Sequence, residues 1–313
     1  METRKLGNTG IDITVMGFGA WAIGGRGYGE VDERDAVEAI ETYLNLGGNF
    51  IDTARRYGNS ERILGDYFKR TGKRDDVIIA SKSGVHDPAE LRDELEKSLR
   101  LLQCNTIDLF YLHSPPDDPD EMNRLLDEYD KFKREGKIRA IGASIKGPNV
   151  TQHTVDLCRQ YIQSERVDAL QVIYSIFRQK NREIFAEAYD NGVGIVTRTA
   201  LESGFLTGKY KPGTVFPEND HRHRWQGDHL DNILNHVQGI IDMVEDLPYE
   251  SVIQLALRYA IDAHGISSVI HGGKIAKQVV DNMRTVKAPM ISDNLHAKLS
   301  DSYGDATPQF NTG

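Results

Sequence analysis

Four residues in the first part of the chain, Asp52, Tyr57, Lys82 and His113, carry side chains suited to moving a proton. Asp52, Lys82 and His113 each stand at the end of a short apolar run, and Tyr57 follows Asp52 in the same loop. Tyrosine is a poor acid near neutral pH, with a reference pKa of about 10. A lysine ammonium within a few Å of a phenol stabilises phenolate and lowers that value. A buried ammonium is expensive unless paired, and Asp52 supplies the pair. His113 can hydrogen-bond a substrate oxygen and orient it. The set suits protonation of a carbonyl oxygen while hydride arrives from elsewhere. No side chain carries hydride, so this chemistry requires a nicotinamide cofactor. Singly, each residue has a plainer reading, such as Asp52 as a helix N-cap. Their joint placement carries the argument.

That placement needs a scaffold. A turn signal at Asn8-Thr9-Gly10, with Ile11, Ile13 and Val15 alternating after it, predicts an N-terminal hairpin. Short apolar runs then recur at 15–20, 49–52, 77–81, 107–112, 138–143, 168–173, 193–197 and 267–270. Between them lie helical faces: Ala36, Val37, Ile40, Tyr43 and Leu44; Leu91, Leu95, Leu99 and Leu102; Met122, Leu125, Leu126, Tyr129 and Phe132; Ile253, Leu257, Ala260 and Ile261. Asp87-Pro88 reads as a helix start, and Asn191-Gly192 and Leu46-Gly47-Gly48 as helix ends. Strands alternating with helices imply parallel pairing with right-handed crossovers. Eight units predict a (β/α)8 TIM barrel, α/β in class, with an N-terminal β-hairpin and a long loop after strand seven, roughly 202–231. An open doubly wound sheet is the competing architecture. With no linker, repeat or low-complexity segment, 1–313 reads as one domain.

Barrel active sites lie at the C-terminal ends of the strands. Those positions hold Asp52, Lys82, His113, Ser144, Gln171, Tyr174, Arg198, Gly272 and Gly273. Trp21 follows the first strand among glycines, where a wall of the substrate pocket competes with core filling. Arg55 and Arg56 beside Tyr57 read either as solvated loop cations or as partners for a substrate bearing a carboxylate or many hydroxyls. The pocket's shape is expected to depend on Trp21, the long loop and the C-terminal tail.

Other functions fit poorly. The balance of 38 Lys+Arg against 47 Asp+Glu, a formal charge of −9, argues against a general nucleic-acid binder. Cys104 and Cys158 cannot make a disulfide framework and suit a reducing compartment. No long apolar stretch or secretory leader is read, so a cytoplasmic protein is expected, without membrane or nucleic-acid partners. Gly17-Phe18-Gly19-Ala20-Trp21-Ala22 formally matches a dinucleotide fingerprint, but the next helical pattern starts only near Asp32. His221-Arg222-His223 is read as an exposed loop and not as a metal site.

At these residues the chain resembles the aldo-keto reductase superfamily, most closely the prokaryotic-type members related to potassium-channel β subunits and aflatoxin aldehyde reductases. Leu6-Gly7-Asn8-Thr9-Gly10 is similar to the family's opening hairpin. Asn49-Phe50-Ile51-Asp52-Thr53-Ala54, then Tyr57-Gly58-Asn59-Ser60-Glu61 and Leu64-Gly65, resembles its most specific motif. Ser81-Lys82, Leu112-His113, Gly136-Lys137-Ile138-Arg139, Ile141-Gly142-Ala143-Ser144 and the run Leu201 to Tyr210 continue it in order.

The resemblance implies a catalytic tetrad of Asp52, Tyr57, Lys82 and His113, with Tyr57 the general acid in reversible reduction of aldehydes or ketones, sugar or polyol-like substrates included. It implies NAD(P)H lying extended across the strand ends. Ser144 and Gln171 would hold the carboxamide, with Tyr174 and Arg198 beside the nicotinamide. Leu201, Ser203, Gly204 and Leu206 would cover the pyrophosphate, and Gly272, Gly273, Lys274, Gln278 and Asn282 would surround the adenosine. The chain departs from the common pattern at Ile145-Lys146, where relatives usually carry asparagine, at His271 for proline and at Lys274 for arginine. Lysine can pair with a 2′-phosphate as a point charge, so NADP(H) is preferred and NAD(H) stays open. The alternative implied by the channel subunits is a nucleotide-binding redox sensor with little turnover.

Overall fold

The computed structural model describes residues 1–304 apart from 26, 148 and 149. The tail 305–313, expected above to help shape the pocket, lies outside the described residues.

Strands β1 (Thr3–Lys5) and β2 (Asp12–Thr14) pair antiparallel as the expected hairpin, with Arg4 opposite Ile13. Eight further strands follow: β3 (Met16–Gly19), β4 (Phe50–Asp52), β5 (Ile78–Ser83), β6 (Ile107–His113), β7 (Ile138–Ser144), β8 (Ala169–Ile173), β9 (Gly194–Arg198) and β10 (Ile266–Gly272). All eight are parallel, and β10 pairs with both β9 and β3, closing the barrel. The open-sheet alternative is thereby excluded.

Strand side chains alternate between two faces. Phe50, Ala80, Leu109, Tyr111, Ala140, Ala169 and Val196 form one cluster, joined by Leu6, Ile11 and Ile13 of the hairpin. The hairpin thus packs against the residues that fill the barrel. Their alternates, Ile51, Ile79, Phe110, Ile141, Leu170 and Ile195, belong to the larger cluster shared with the helices.

The helices are α1 (Glu33–Asn45), α2 (Ser60–Thr71), α3 (Pro88–Leu102), α4 (Pro119–Arg134), α5 (Gln152–Gln163), α6 (Phe185–Asp190), α7 (Gly227–Val244), α8 (Val252–Ile261), α9 (Ala276–Met283) and α10 (Asp293–Tyr303). Asp87 caps α3 by accepting from the Ala89 N–H, with Pro88 in the first turn. Between β9 and β10 lie two 3-10 turns (Glu202–Thr207 and His221–Arg224), α7 and α8. Helix α7 starts inside the stretch expected to be loop. No helix among the described residues is long and apolar enough to cross a membrane.

Several strands run past their apolar segments. Lys82, His113, Ser144, Arg198 and Gly272 are strand residues and do not begin the loops, as the apolar runs implied. Backbone pairing is indifferent to side-chain polarity, so the ladder continues while its N–H and C=O groups find partners. His113 stands opposite Ser144, Ser144 opposite Gln171, and Arg198 opposite Ile173. Barrel register, not loop conformation, therefore sets their spacing.

The loop after β3 supports the one carrying Tyr57. The Asn59 N–H donates to the Gly24 carbonyl at 3.0 Å. A Cβ at Gly24 would stand 1.8 Å from the Tyr57 carbonyl oxygen. Gly24→Ala must displace one loop from the other. We expect it to lower unfolding free energy by roughly 1–3 kcal/mol, as overpacking does, read from the urea midpoint. A variant with unchanged midpoint would show that these loops do not bear on each other.

Candidate active site

Strands β4, β5 and β6 bring the first carboxylate, ammonium and imidazole to one mouth. Lys82 has no exposed surface. Its Nζ donates to Asp52 Oδ1 at 2.5 Å and to the Thr53 carbonyl at 2.8 Å. The same atom lies 3.5 Å from Tyr57 Oη and 4.9 Å from the centre of that ring. Asp52 Oδ2 accepts from Gln171 Nε2 at 2.7 Å, and Gln171 Oε1 accepts from Ser144 Oγ at 3.0 Å. A continuous polar chain thus runs from β7 through β8 and β4 to the phenol. Removing any link would leave a buried polar group unpaired.

The His113 ring meets Tyr57 edge-on at 6.0 Å between centroids. Its Nδ1 is buried and finds no hydrogen-bond partner among the described residues. Burial, reinforced by the positive charges of Lys82, Arg198 and Arg56, pushes its pKa down to about 3. At neutral pH it is an uncharged imidazole beside the phenol, able to bond an oxygen without competing for the proton.

The Trp21 ring lies 6.2 Å from Tyr57, 5.1 Å from Tyr28 and 4.8 Å from His221. These contacts tie the loop after β3 to the loop after β9. The His221 N–H donates to the Gly27 carbonyl at 2.7 Å, and Tyr28 bridges to Asp220. Arg222 pairs with Asp220 and lies over the rings of Tyr28, Tyr210 and Phe216 at 4.9, 5.3 and 4.5 Å. The expected exposed loop is therefore corrected: the side chains of His221 and Arg222 are each only 12% exposed. Burial draws His221 down to about 4. Among the described residues no cluster of His, Cys, Asp and Glu could hold a metal ion.

The segment from Leu201 to Leu206 has the backbone of a cradle. Thr199, Glu202, Ser203 and Gly204 all take positive φ, and a Cβ at Gly204 would meet no atom closer than 3.8 Å. Such strain persists only where surroundings enforce it. Here the buried Glu202 is pinned by Arg178 at 2.5 Å and by the Ser175 hydroxyl. At the end of β10, Gly272 has open space where a Cβ would stand. Lys274 Nζ donates to the Tyr28 carbonyl, and Arg222 and Lys209 lie close enough to disfavour its charge. Open glycines flanked by three cations fit an extended dinucleotide's phosphates. Gln278 and Asn282 brace this turn, bonding the Lys274 N–H and the Gly272 carbonyl at 2.8 and 2.9 Å.

The sequence model of the aldo/keto reductase family matches residues 15–302. The aldo-keto reductase YhdN of Bacillus subtilis (strain 168) is 32% identical over 295 residues, covering 88% of this chain and 85% of that one. An NADH-specific methylglyoxal reductase of Escherichia coli (strain K12) is 30% identical over 320 residues, covering 90% and 93%. The solved glycerol dehydrogenase AKR11B4 of Gluconobacter oxydans superposes with a TM-score of 0.80 at 26% identity, covering 97% and 96%. This chain belongs to the aldo/keto reductase family.

Two residues depart from the places the family resemblance or the loop reading gave them. Tyr174 has no exposed surface. It stacks on Tyr259 at 5.4 Å, meets Phe185 edge-on and lies 3.4 Å from His296 Nε2. Its ring is packed among α6, α8 and α10, with no face free for a nicotinamide. Arg55, only partly exposed, is held by carboxylates and not left for a substrate. It is bound to Glu61 at 2.6 Å, with Glu94 at 3.5 Å. Arg56 is exposed, with one bond to the Gly84 carbonyl at 3.3 Å. Residues that sequence reasoning missed are Tyr28, the Arg178–Glu202 pair and Tyr111, whose ring lies 5.6 Å below the Lys82 ammonium. For Tyr28 the only signal was an aromatic inside a glycine-rich run.

The depressed His113 pKa has a sign that can be read directly. Its imidazole should stay neutral from pH 8 to pH 5 in the folded protein, taking up its proton only as the pH approaches about 3. Below an ordinary histidine pKa of about 6.5 the unfolded chain binds that proton first, so His113 favours unfolding increasingly as pH falls. NMR titration of the ring should show no midpoint between pH 5 and 8. A midpoint near 6.5 would contradict the site's electrostatics.

Proposed function

We propose that this chain is an NAD(P)H-dependent oxidoreductase that reduces aldehydes and ketones to alcohols, reversibly, with sugar or polyol-like substrates in range. The reading rests on one observation: a fully buried ammonium, neutralised by Asp52, lies 3.5 Å from the Tyr57 hydroxyl. Tyr57 acts as the general acid. It gives its proton to the carbonyl oxygen, and the phenolate left behind is met by the positive charge of Lys82. Asp52 and the Thr53 carbonyl fix Lys82 at that oxygen. His113, uncharged, bonds the substrate oxygen and aims it at the phenol, while Trp21 and Tyr57 narrow the mouth. When bound, the nicotinamide supplies the hydride that the carbonyl carbon accepts.

Residues suited to holding the nucleotide are Ser144 and Gln171 at the ring, Leu201, Ser203 and Gly204 at the pyrophosphate, and Gly272, Gly273, Lys274, Gln278 and Asn282 at the adenosine; the Leu206 side chain, expected with them, is fully buried. The positive charges of Lys274, Arg222 and Lys209 favour NADP(H), although one relative is named for NADH. The unpaired Cys104 and Cys158 agree with a cytoplasmic setting.

An aldehyde and ketone panel with NADPH and with NADH, followed at the nicotinamide absorbance, tests the reading. The wild-type chain should turn over at least some carbonyls. Tyr57→Phe should lose about 10²–10⁴-fold in kcat, while nucleotide affinity by fluorescence titration stays within a few fold. Turnover of no carbonyl by the wild type, or full activity in Tyr57→Phe, would overturn it.

A further inference from the structure

The arginines around the strand ends fall into two groups. Arg55, Arg178 and Arg222 each meet a carboxylate, Glu61, Glu202 and Asp220 respectively. Arg56 and Arg198 have none within ion-pair distance among the described residues. Arg198 donates Nη2 to the Ile145 carbonyl at 3.0 Å and Nη1 to Thr199 Oγ1 at 3.4 Å. Among the described residues Arg56 makes a single hydrogen bond, to the Gly84 carbonyl. Each guanidinium rests on a glycine. A Cβ at Gly147 would stand 2.8 Å from Arg198 Nη2, and one at Gly84 would stand 2.8 Å from Arg56 Cζ.

Both charges act on the tetrad. Arg198 and Arg56 are felt at His113, and Arg198 also at Tyr57 and Asp52. The tetrad's own carboxylate is already committed, one oxygen to Lys82 and the other to Gln171. Neither guanidinium is therefore paired with a carboxylate among the described residues: Asp52 and Glu202, whose charges reach Arg198, are bound to Lys82 and Arg178. Arg198 is the costlier, since its two acceptors are neutral and replace the hydration of a cation only in part. A guanidinium recovers that cost best from a carboxylate, which matches its planar fork. The nucleotide phosphates have cations of their own near the end of β10, in Lys209 and Lys274. The pair beside Tyr57 is left over.

We propose that Arg198, assisted by Arg56, is the counter-ion for a carboxylate on the carbonyl substrate, so that this chain prefers oxo acids to neutral aldehydes. The inference rests on the reductase reading above and specifies its substrate class.

The test compares unbranched aldehyde acids, from glyoxylate to adipic semialdehyde, with their methyl esters. For at least one chain length the acid should exceed its ester in kcat/KM by about tenfold or more, the discrimination expected of roughly one charge-assisted contact. Arg198→Met should bring that acid-to-ester ratio close to one, and Arg56→Met should lower it in the same direction. Arg56 is exposed, so its variant serves even where Arg198→Met fails to fold. Esters reduced as well as acids at every length, or a ratio that survives both substitutions, would overturn the proposal while leaving the reductase reading intact. A fall in nucleotide affinity for Arg198→Met with the ratio unchanged would assign Arg198 to the nucleotide and equally overturn it. Reduction of neither series, nor of any other carbonyl, would instead remove the reductase reading on which the proposal stands.

Discussion

An ammonium group with no access to water must be neutralised where it sits, and everything at this site follows from how Lys82 meets that requirement. Asp52 balances its charge at 2.5 Å, and the Thr53 carbonyl accepts a second N–H hydrogen bond at 2.8 Å. The third direction leads to the Tyr57 hydroxyl. Because Asp52 is held from its other side by Gln171, and Gln171 by Ser144, the carboxylate has no freedom to swing away. The positive charge is thus aimed at the phenol before any substrate arrives. In the proposed reaction such preorganisation would cost no rearrangement at the moment of proton transfer.

The barrel makes this arrangement possible by fixing distance through register. Asp52, Lys82, His113, Ser144 and Gln171 come from five neighbouring strands, β4 to β8; Asp52, His113 and Ser144 end theirs, and Lys82 stands one residue before the end of β5. Loops contribute the parts that need to adapt. Trp21 and Tyr28 arrive with the loop after β3, and His221 and Arg222 with the loop after β9, joined by main-chain and aromatic contacts. The strained turn after β9 depends on a buried ion pair between Arg178 and Glu202, which are 2% and 1% exposed at the side chain. Breaking such a pair leaves an uncompensated charge, so this turn is rigid for the same reason that Lys82 is.

The fold was legible because its signals are local and repeat: apolar runs alternate with helical faces, and Asp87-Pro88 and Asn191-Gly192 mark boundaries with known chemistry. The hairpin was legible for the same reason. Strand ends were less so, since the ladder through Lys82 and His113 is sustained by backbone pairing that leaves no trace in side-chain polarity. The tetrad was legible only once a barrel placed its members side by side. Tyr174 and Arg55 were misplaced because their partners, Tyr259 and His296 in one case and Glu61 and Glu94 in the other, are brought to them by packing between helices and loops. The burial of His221 and Arg222 was hidden likewise: three of the aromatic rings around them, Trp21, Tyr28 and Phe216, come from distant or irregular segments.

The account stands or falls on whether the Lys82 charge makes Tyr57 an effective proton donor. Single-turnover reduction of an accepted aldehyde by Lys82→Met, with nucleotide saturation verified in the same samples, measures this directly. Loss of one preorganised electrostatic contact of this kind predicts a rate lower by about 10²–10³-fold. A variant that reduces the aldehyde at the wild-type rate would contradict the account.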